Sequence, residues 1–148
     1  MAGLTLSQNV YFMGFPFGLS MEGRSLNDGF PLPFVKQGIC SAIIAPSKDY
    51  SVVFVDGFNN PGFSGGPIVF VDSSTKQLKV AGVVRGFRHQ EDKVLRKVPK
   101  KEKKQGDEYE LIETDMVVQS NSGLVIGFSI KSAVDVILKN PIGPLVKK

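Results

Sequence analysis

The segment Gly62-Phe63-Ser64-Gly65-Gly66-Pro67 holds the residues of this chain with the clearest potential for chemistry. A serine hydroxyl attacks a carbonyl when it is exposed on a tight turn and backbone N–H groups point at the developing oxyanion. Glycines on both sides of Ser64 allow positive φ and a close approach of a substrate backbone. Pro67 ends the turn and opens an extended segment. The pattern therefore predicts Ser64 as a nucleophile.

Two other interpretations of this segment are open. Glycine-rich turns that contain a serine are common in all-β proteins, so the run could be a turn without chemistry. Gly62, Ser64 and Gly66 are also in register with the Gly-x-Ser-x-Gly elbow of α/β-hydrolases. That elbow requires a helix directly after the serine, whereas the β-branched and aromatic residues from Pro67 to Val71 favour a strand. The elbow interpretation is therefore disfavoured.

Six strands separated by turn residues are predicted to position this segment. They are Asn9–Gly14, Phe34–Ile44, Val52–Val55, Ile68–Val71, Leu78–Phe87 and Leu124–Ile130. Residues 20–33 are expected to form a loop, and residues 46–50 and 72–76 to form turns. Short strands with this punctuation favour a small antiparallel barrel over a helix-covered parallel sheet.

One helix is expected after the last strand. Ser132 is predicted to cap it with Asp135 in the capping position, and Asn140-Pro141 to end it. Its apolar stripe is Val134, Ile137 and Leu138.

Composition is consistent with one β-rich domain. The chain has 148 residues, with 16 Gly, 9 Pro and 11 Phe and no Trp. The single cysteine, Cys40, excludes an internal disulfide and lies in an apolar run, which predicts a place in the core. Neither an apolar run of membrane-spanning length nor a signal peptide is present, so no membrane partner is expected.

A charged insertion at about residues 88–121 interrupts the strand pattern. Residues 88–104 include eight basic and three acidic residues, whereas the net charge of the whole chain is +4. This part is predicted to be a solvated or mobile loop, and Leu111–Val118 an extra strand or a hairpin arm. Acidic residues are interspersed among the lysines of 97–104 and no aromatic platform accompanies them, so no nucleic-acid partner is expected.

The run from Asn60 to Pro67 resembles the nucleophile loop of trypsin-like (chymotrypsin-fold) serine proteases, and most closely that of their high-temperature-requirement branch. The segments Phe15–Leu19 and Val35–Ile44 are similar to strands of the same family. The resemblance covers almost the whole chain but only the C-terminal half of the family fold. It implies an all-β fold in which residues 1–148 form a six-stranded antiparallel Greek-key barrel, the second barrel of the chymotrypsin fold, with a C-terminal α-helix.

The resemblance also implies serine-type endopeptidase activity in the intact parent protein, without a metal or another cofactor. Ser64 would be the nucleophile, and the N–H groups of Gly62 and Ser64 the oxyanion hole. Phe63 replaces the polar residue usual in the family, which argues against zymogen activation of the trypsin type and leaves open whether the hole is formed at rest. The expected walls of the substrate pocket are Phe58, Asn59, Arg85, Gly86, Phe87, Gly127, Phe128 and Ser129.

The histidine base and its carboxylate are missing from the expected place. In the family both precede the serine and belong to an N-terminal barrel, whereas only 63 residues precede Ser64 here. The only histidine, His89, follows the serine and is predicted to be a surface imidazole, although a rearranged Ser64–His89 dyad is conceivable. The chain alone is therefore expected to be inactive.

The expected partners follow from this gap. They are a peptide or protein substrate, together with a missing N-terminal barrel or a second copy bound at the exposed barrel face. The alternative function is a non-catalytic peptide- or protein-binding module derived from a protease.

Overall fold

The computed structural model describes residues 3–21, 30–47, 50–100 and 109–141. Parts of the predicted loop and turns (residues 22–29 and 48–49) and of the charged insertion (101–108) lie outside the described residues. The strands are β1 (Asn9–Gly14), β2 (Phe34–Ile44), β3 (Val52–Asp56), β4 (Pro67–Val71), β5 (Leu78–Pro99) and β6 (Tyr109–Ser129). A 3-10 turn follows β1 at Pro16–Gly18, and the helix α1 is Ile130–Lys139.

The six strands belong to one sheet, in the order β1-β2-β3-β6-β5-β4. β4 pairs back with β1, through the register Val10 with Phe70 and Phe12 with Ile68. The pairs β1–β2, β1–β4, β2–β3, β3–β6 and β4–β5 are all antiparallel. The prediction of a mostly antiparallel six-stranded β-structure with a C-terminal helix is confirmed.

The core forms from alternate residues of the strands, because successive side chains of a strand point to opposite faces. On β1, β3 and β4 the fully buried side chains are Val10, Phe12, Val53, Val55, Ile68 and Phe70. Cys40 of β2 lies among them, so its predicted place in the core is confirmed. Burial raises the pKa of its thiol, as expected for a group whose charged form would lose hydration.

β5 and β6 are much longer than predicted. β5 continues past Phe87 to Pro99, and β6 begins at Tyr109 instead of Leu124. Their outer halves form a separate compact unit, His89–Ser122, which we call the arm. The prediction of a solvated loop is therefore wrong for the described residues up to Pro99. The prediction of a hairpin arm for Leu111–Val118 is confirmed.

Polar cross-strand contacts explain why a charged sequence forms the arm. Lys93 pairs with Glu113. The Thr114 hydroxyl donates to the Val94 carbonyl at 2.7 Å, and the Ser120 hydroxyl donates to the Asp92 carboxylate at 2.5 Å. Such pairs stabilise neighbouring strands without an apolar face. The alternation of apolar and polar residues is the usual sequence signal for a strand, and it is weak here.

Asp72 organises the predicted hairpin turn at 72–76. Its carboxylate accepts hydrogen bonds from the Ser74 N–H at 2.9 Å and the Thr75 N–H at 3.0 Å, and also from the Ser74 hydroxyl. The other carboxylate oxygen lies 2.5 Å from the Lys79 ammonium. The bond from Lys79, followed by those from Ser74 and Thr75, holds the pKa of Asp72 well below its usual range.

This turn should make stability depend on acidity. A carboxyl whose pKa is depressed in the folded protein stabilises it fully above its unfolded pKa of about 3.9, and that contribution is lost as the pH falls further. We therefore expect Asp72→Asn to lower the free energy of unfolding at pH 6. The difference in that free energy between the variant and the wild type should narrow steadily towards pH 2. Urea denaturation at several pH values measures this, with the exposed Asp56→Asn as control. A gap for Asp72→Asn that stays constant with pH would contradict the expectation.

The helix α1 begins earlier than predicted. Ser129, the last residue of β6, is its N-cap, and the Ser129 hydroxyl accepts a hydrogen bond from the Lys131 N–H at 3.3 Å. The prediction that Ser132 caps the helix is wrong. Ser129 has the extended ψ typical of an N-cap residue, and its side-chain oxygen accepts from an N–H group of the first helical turn. Asn140 ends the helix as predicted. No described helix is long and apolar enough to cross a membrane.

Candidate functional site

The loop before β4 is built from two successive type II turns that share Phe63. In the first, the Asn60 carbonyl accepts from the Phe63 N–H at 3.4 Å, with Pro61 second and Gly62 third at φ +103°. In the second, the Phe63 carbonyl accepts from the Gly66 N–H at 3.0 Å, with Gly65 third at φ +88°. A type II turn requires positive φ at its third residue and favours proline at its second. The sequence therefore dictates this geometry directly.

Phe63 anchors the paired turns in the core. Its side chain is fully buried and meets the Phe12 ring edge-on, with the ring centroids 5.4 Å apart. A buried aromatic side chain at the shared corner of two turns orients both of them. Phe63 thus takes a packing role, and Ser64, the next residue, is left exposed.

Backbone hydrogen bonds fix the loop from two sides. On the side of β1, the Phe15 N–H donates to the Gly62 carbonyl at 2.9 Å and the Phe17 N–H to the Pro61 carbonyl at 3.1 Å. On the side of β5, Val84 exchanges bonds of 2.8 Å with the backbone of Gly65 and Gly66. The position of Ser64 is therefore set by the sheet on both flanks.

Ser64 carries an exposed hydroxyl beside two available N–H groups. Its Oγ donates a hydrogen bond to the Arg85 carbonyl at 3.2 Å. Within the described residues, neither the Gly62 N–H nor the Ser64 N–H donates a hydrogen bond to the protein. Two such donors close to a nucleophile are what an oxyanion hole requires.

A cavity of about 440 Å³ lies beside Ser64. One side is formed by Met13 and Gly14 at the end of β1, by the following Phe15 and by Pro33. The other side is formed by Gly62 and by the residues 64–67. The lining is mostly apolar, so the cavity is suited to a group of that character.

The residues predicted as walls of a substrate pocket lie elsewhere around the loop. Phe58 is exposed and Asn59 is buried, both directly before the first turn. On β5, the Arg85 guanidinium lies 5.9 Å from the centre of the Phe128 ring. Gly86 has open space at the position of a Cβ, and Phe87 is half-buried.

The three predicted wall residues of β6 contribute to packing and capping. A Cβ on Gly127 would meet Ile68 and Val53 inside the core. Phe128 also contacts Tyr50, with ring centroids 5.6 Å apart, and Ser129 caps α1. None of the residues predicted as pocket walls lines the cavity beside Ser64, and their contact with a substrate stays a prediction.

Sequence reasoning missed Lys36. Its ammonium donates to the Phe58 carbonyl at 2.7 Å and to the Asn60 side-chain oxygen. Burial lowers the pKa of Lys36. The signal that could have found it is a lysine at a position of β2 that shares the inward-facing register of Gly38 and Cys40.

The histidine of the chain is not in the unit that carries Ser64. That unit comprises residues 1–88 and 123–148, and His89 is the first residue of the arm. Its side chain is exposed, as predicted. Comparisons with protein families, with curated proteins and with solved structures find no match to this chain.

Proposed function

We propose that Ser64 is the nucleophile of a serine-type endopeptidase, and that the Gly62 and Ser64 N–H groups form its oxyanion hole. One observation carries the proposal. The paired turns expose the Ser64 hydroxyl while both N–H groups have no acceptor among the described residues. Acyl transfer uses an exposed hydroxyl beside two N–H groups that are free to receive an oxyanion.

The proton of Ser64 needs an acceptor that this unit does not supply. At rest the hydroxyl donates to the Arg85 carbonyl, a neutral group that cannot remove the proton during attack. No histidine lies in residues 1–88 or 123–148. We therefore assign the base and its orienting carboxylate to a partner barrel, which would approach Ser64 from its exposed side.

The strand order supports the same proposal. A sheet ordered β1-β2-β3-β6-β5-β4, with β4 returning to β1, is compatible with a six-stranded Greek-key barrel. In the trypsin-like fold the second barrel carries the serine and the first carries the base. The lack of a histidine in the unit that carries Ser64 is consistent with this division.

The proposed reaction is peptide-bond hydrolysis in two steps. The Ser64 oxygen attacks the substrate carbonyl, the partner's base takes the hydroxyl proton, and the carbonyl oxygen becomes an oxyanion held by the two N–H groups. The amine leaves with a proton returned from the base. Water then hydrolyses the acyl-enzyme by the same route and frees Ser64.

A fluorophosphonate probe tests the proposed nucleophile without a substrate. We expect the chain alone to be labelled very slowly, and the rate to rise when imidazole is added as a small diffusible base. Mass spectrometry of the labelled chain should place the adduct on Ser64, and Ser64→Ala should remove it. Ser129→Ala is the matched control, since that buried hydroxyl caps a helix. Equal labelling of wild type and Ser64→Ala in imidazole would refute the proposal.

The assembled enzyme should prefer small or medium apolar residues before the cut. Phe58 stands six residues before Ser64, where trypsin-type enzymes carry an aspartate. A pocket without a carboxylate offers no counter-charge to a buried lysine or arginine, and burying an unpaired charge costs several kcal/mol. Profiling the assembled enzyme with a peptide library measures the preference. A profile dominated by basic residues would overturn this expectation, and a dependence on acidic residues would implicate Arg85.

Peptide binding without cleavage is the second candidate function. The resting bond from Ser64 to the Arg85 carbonyl favours it, because the hydroxyl is then a donor within the site and not an activated nucleophile. A binding module should hold peptides equally well after Ser64→Ala and should stay unlabelled by the probe in imidazole. Those two results together distinguish it from the peptidase.

The segment between β1 and β2 should mediate self-association of the isolated chain, in place of the partner barrel. Large apolar side chains are exposed there, with Phe17 71% and Phe30 69% accessible. Phe17 has φ +55°, a conformation in which asparagine is common. We expect sedimentation velocity to show concentration-dependent association that Phe17→Asn weakens without unfolding the protein. A clean wild-type monomer at high concentration would count against it.

A further inference from the structure

Lys36 occupies an unusual position for a charged residue. On β2 the inward-facing residues Gly38 and Cys40 are buried, and Lys36 belongs to the same alternation. Its partner in register on β1 is Phe12, which is fully buried. Placing an ammonium at such a position costs hydration, so its retention requires compensating contacts.

Among the described residues, the side chain of Lys36 contacts the loop that precedes Ser64. The ammonium donates to the Phe58 carbonyl and to the Asn60 side chain. It also lies 5.7 Å from the centre of the Phe58 ring and 5.3 Å from that of the Phe63 ring. The ion pairs found in the described parts of the chain are Lys79–Asp72 and Lys93–Glu113, so Lys36 is held by neutral groups.

These contacts involve Asn60, the first residue of the first turn. Asn60 supplies the carbonyl that closes this turn with the Phe63 N–H, and Phe63 begins the second turn. A cation that contacts the Asn60 side chain, the Phe58 carbonyl and two aromatic rings restrains the loop. The orientation of the Gly62 and Ser64 peptide groups depends on both turns.

We propose that Lys36 is a positioning residue for the oxyanion hole, which holds the 58–63 segment in the conformation that presents the Gly62 and Ser64 N–H groups. The assignment to an oxyanion hole rests on the proposed function, whereas the restraint of the loop is argued from the contacts alone.

Substitution of Lys36 by methionine separates a positioning role from a merely structural one. Methionine keeps the length of the side chain but donates no hydrogen bond. Removing the ammonium also removes its dehydration cost, and the two acceptors that it leaves belong to exposed Phe58 and half-buried Asn60, where water can replace it. We therefore expect the Lys36→Met protein to unfold at about the same urea concentration as the wild type, while its loop loosens.

Amide hydrogen exchange followed by NMR on the ¹⁵N-labelled chain reads the loop directly. For Lys36→Met we expect the Phe63 and Gly66 amides to exchange about tenfold faster or more, a local opening without global unfolding. Amides of β4 should keep their wild-type rates. Lys36→Arg should largely restore slow exchange. Lys79→Met is the matched control, because Lys79 pairs with Asp72 outside the loop and its loss should leave the loop amides unchanged.

The outcomes separate this inference from the proposed function. Unchanged exchange of Phe63 and Gly66 in Lys36→Met would overturn the positioning role, whatever the reactivity of Ser64. Faster exchange, combined with imidazole-dependent labelling of Ser64 that falls in Lys36→Met and recovers in Lys36→Arg, supports both. Faster exchange with no labelling of the wild type supports the holding of the loop and overturns its assignment to an oxyanion hole.

Discussion

The chain alone should hydrolyse casein no faster than its Ser64→Ala variant. Loss of one member of a catalytic triad typically lowers the rate by several powers of ten, because an unassisted hydroxyl must lose its proton to water. Here the hydroxyl donates to the Arg85 carbonyl, and the unit that carries Ser64 contains no histidine. Release of fluorescent peptides from labelled casein over a day is sensitive enough to measure the difference.

Robust cleavage that disappears with Ser64→Ala would contradict this expectation. It would mean that a base is present within the chain, and His89 is its only histidine. His89→Gln would then be the decisive variant, since glutamine keeps the polarity of the side chain but cannot accept the proton.

Gly62→Ala should strongly lower the free energy of unfolding. Gly62 has φ +103°, and a Cβ there would lie 2.1 Å from the Phe15 carbonyl oxygen. Backbone strain costs roughly 1–2 kcal/mol for a residue with a side chain, and the overlap with the Phe15 backbone adds to it. We expect a loss of about 3 kcal/mol or more in the free energy of unfolding, measured by urea denaturation.

Two glycines provide matched controls for the two parts of that effect. Gly65 also has positive φ, at +88°, but a Cβ there has nothing within 4 Å, so Gly65→Ala should cost only the strain of roughly 1–2 kcal/mol. Gly86 has open space and no positive φ. Gly86→Ala should leave stability unchanged to within about 0.5 kcal/mol. If the three variants lost equal stability, the close approach of Gly62 to Phe15 would not be the cause.

Turn residues made most of the sheet predictable. β1 and β2 have the predicted bounds, and β3 and β4 differ from prediction by one residue. Proline and glycine with asparagine or aspartate mark these ends because each restricts or permits particular backbone angles. The first half of the arm, up to Pro99, was missed as strand because its residues pair through charges and hydroxyls, which do not alternate in hydropathy.

The candidate site was predictable only where local sequence determines it. Pro61, Gly62 and Gly65 fix the two turns through their own conformational preferences. Lys36 lies 28 residues before Ser64, and the pairing of β2 with β1 and with β3 brings it to the loop. Pairing between distant strands is not encoded in any short window, so its contacts with Phe58 and Asn60 were beyond sequence reasoning.

The two kinds of strand pairing in this chain imply an order of folding events. Within the arm, Lys93 meets Glu113 and Val94 meets Thr114, and the residues of each pair are 20 positions apart in the sequence. The pairing of β1 with β4 joins Val10 to Phe70, which are 60 residues apart, so closing that loop costs about 1 kcal/mol more in chain entropy. Hairpins form in about 1–10 μs, whereas folds dominated by non-local pairing take milliseconds to seconds. The arm should therefore be structured early, and the docking of β1 against β4, which also brings Phe12 onto Phe63, should limit the rate at which the nucleophile loop is assembled.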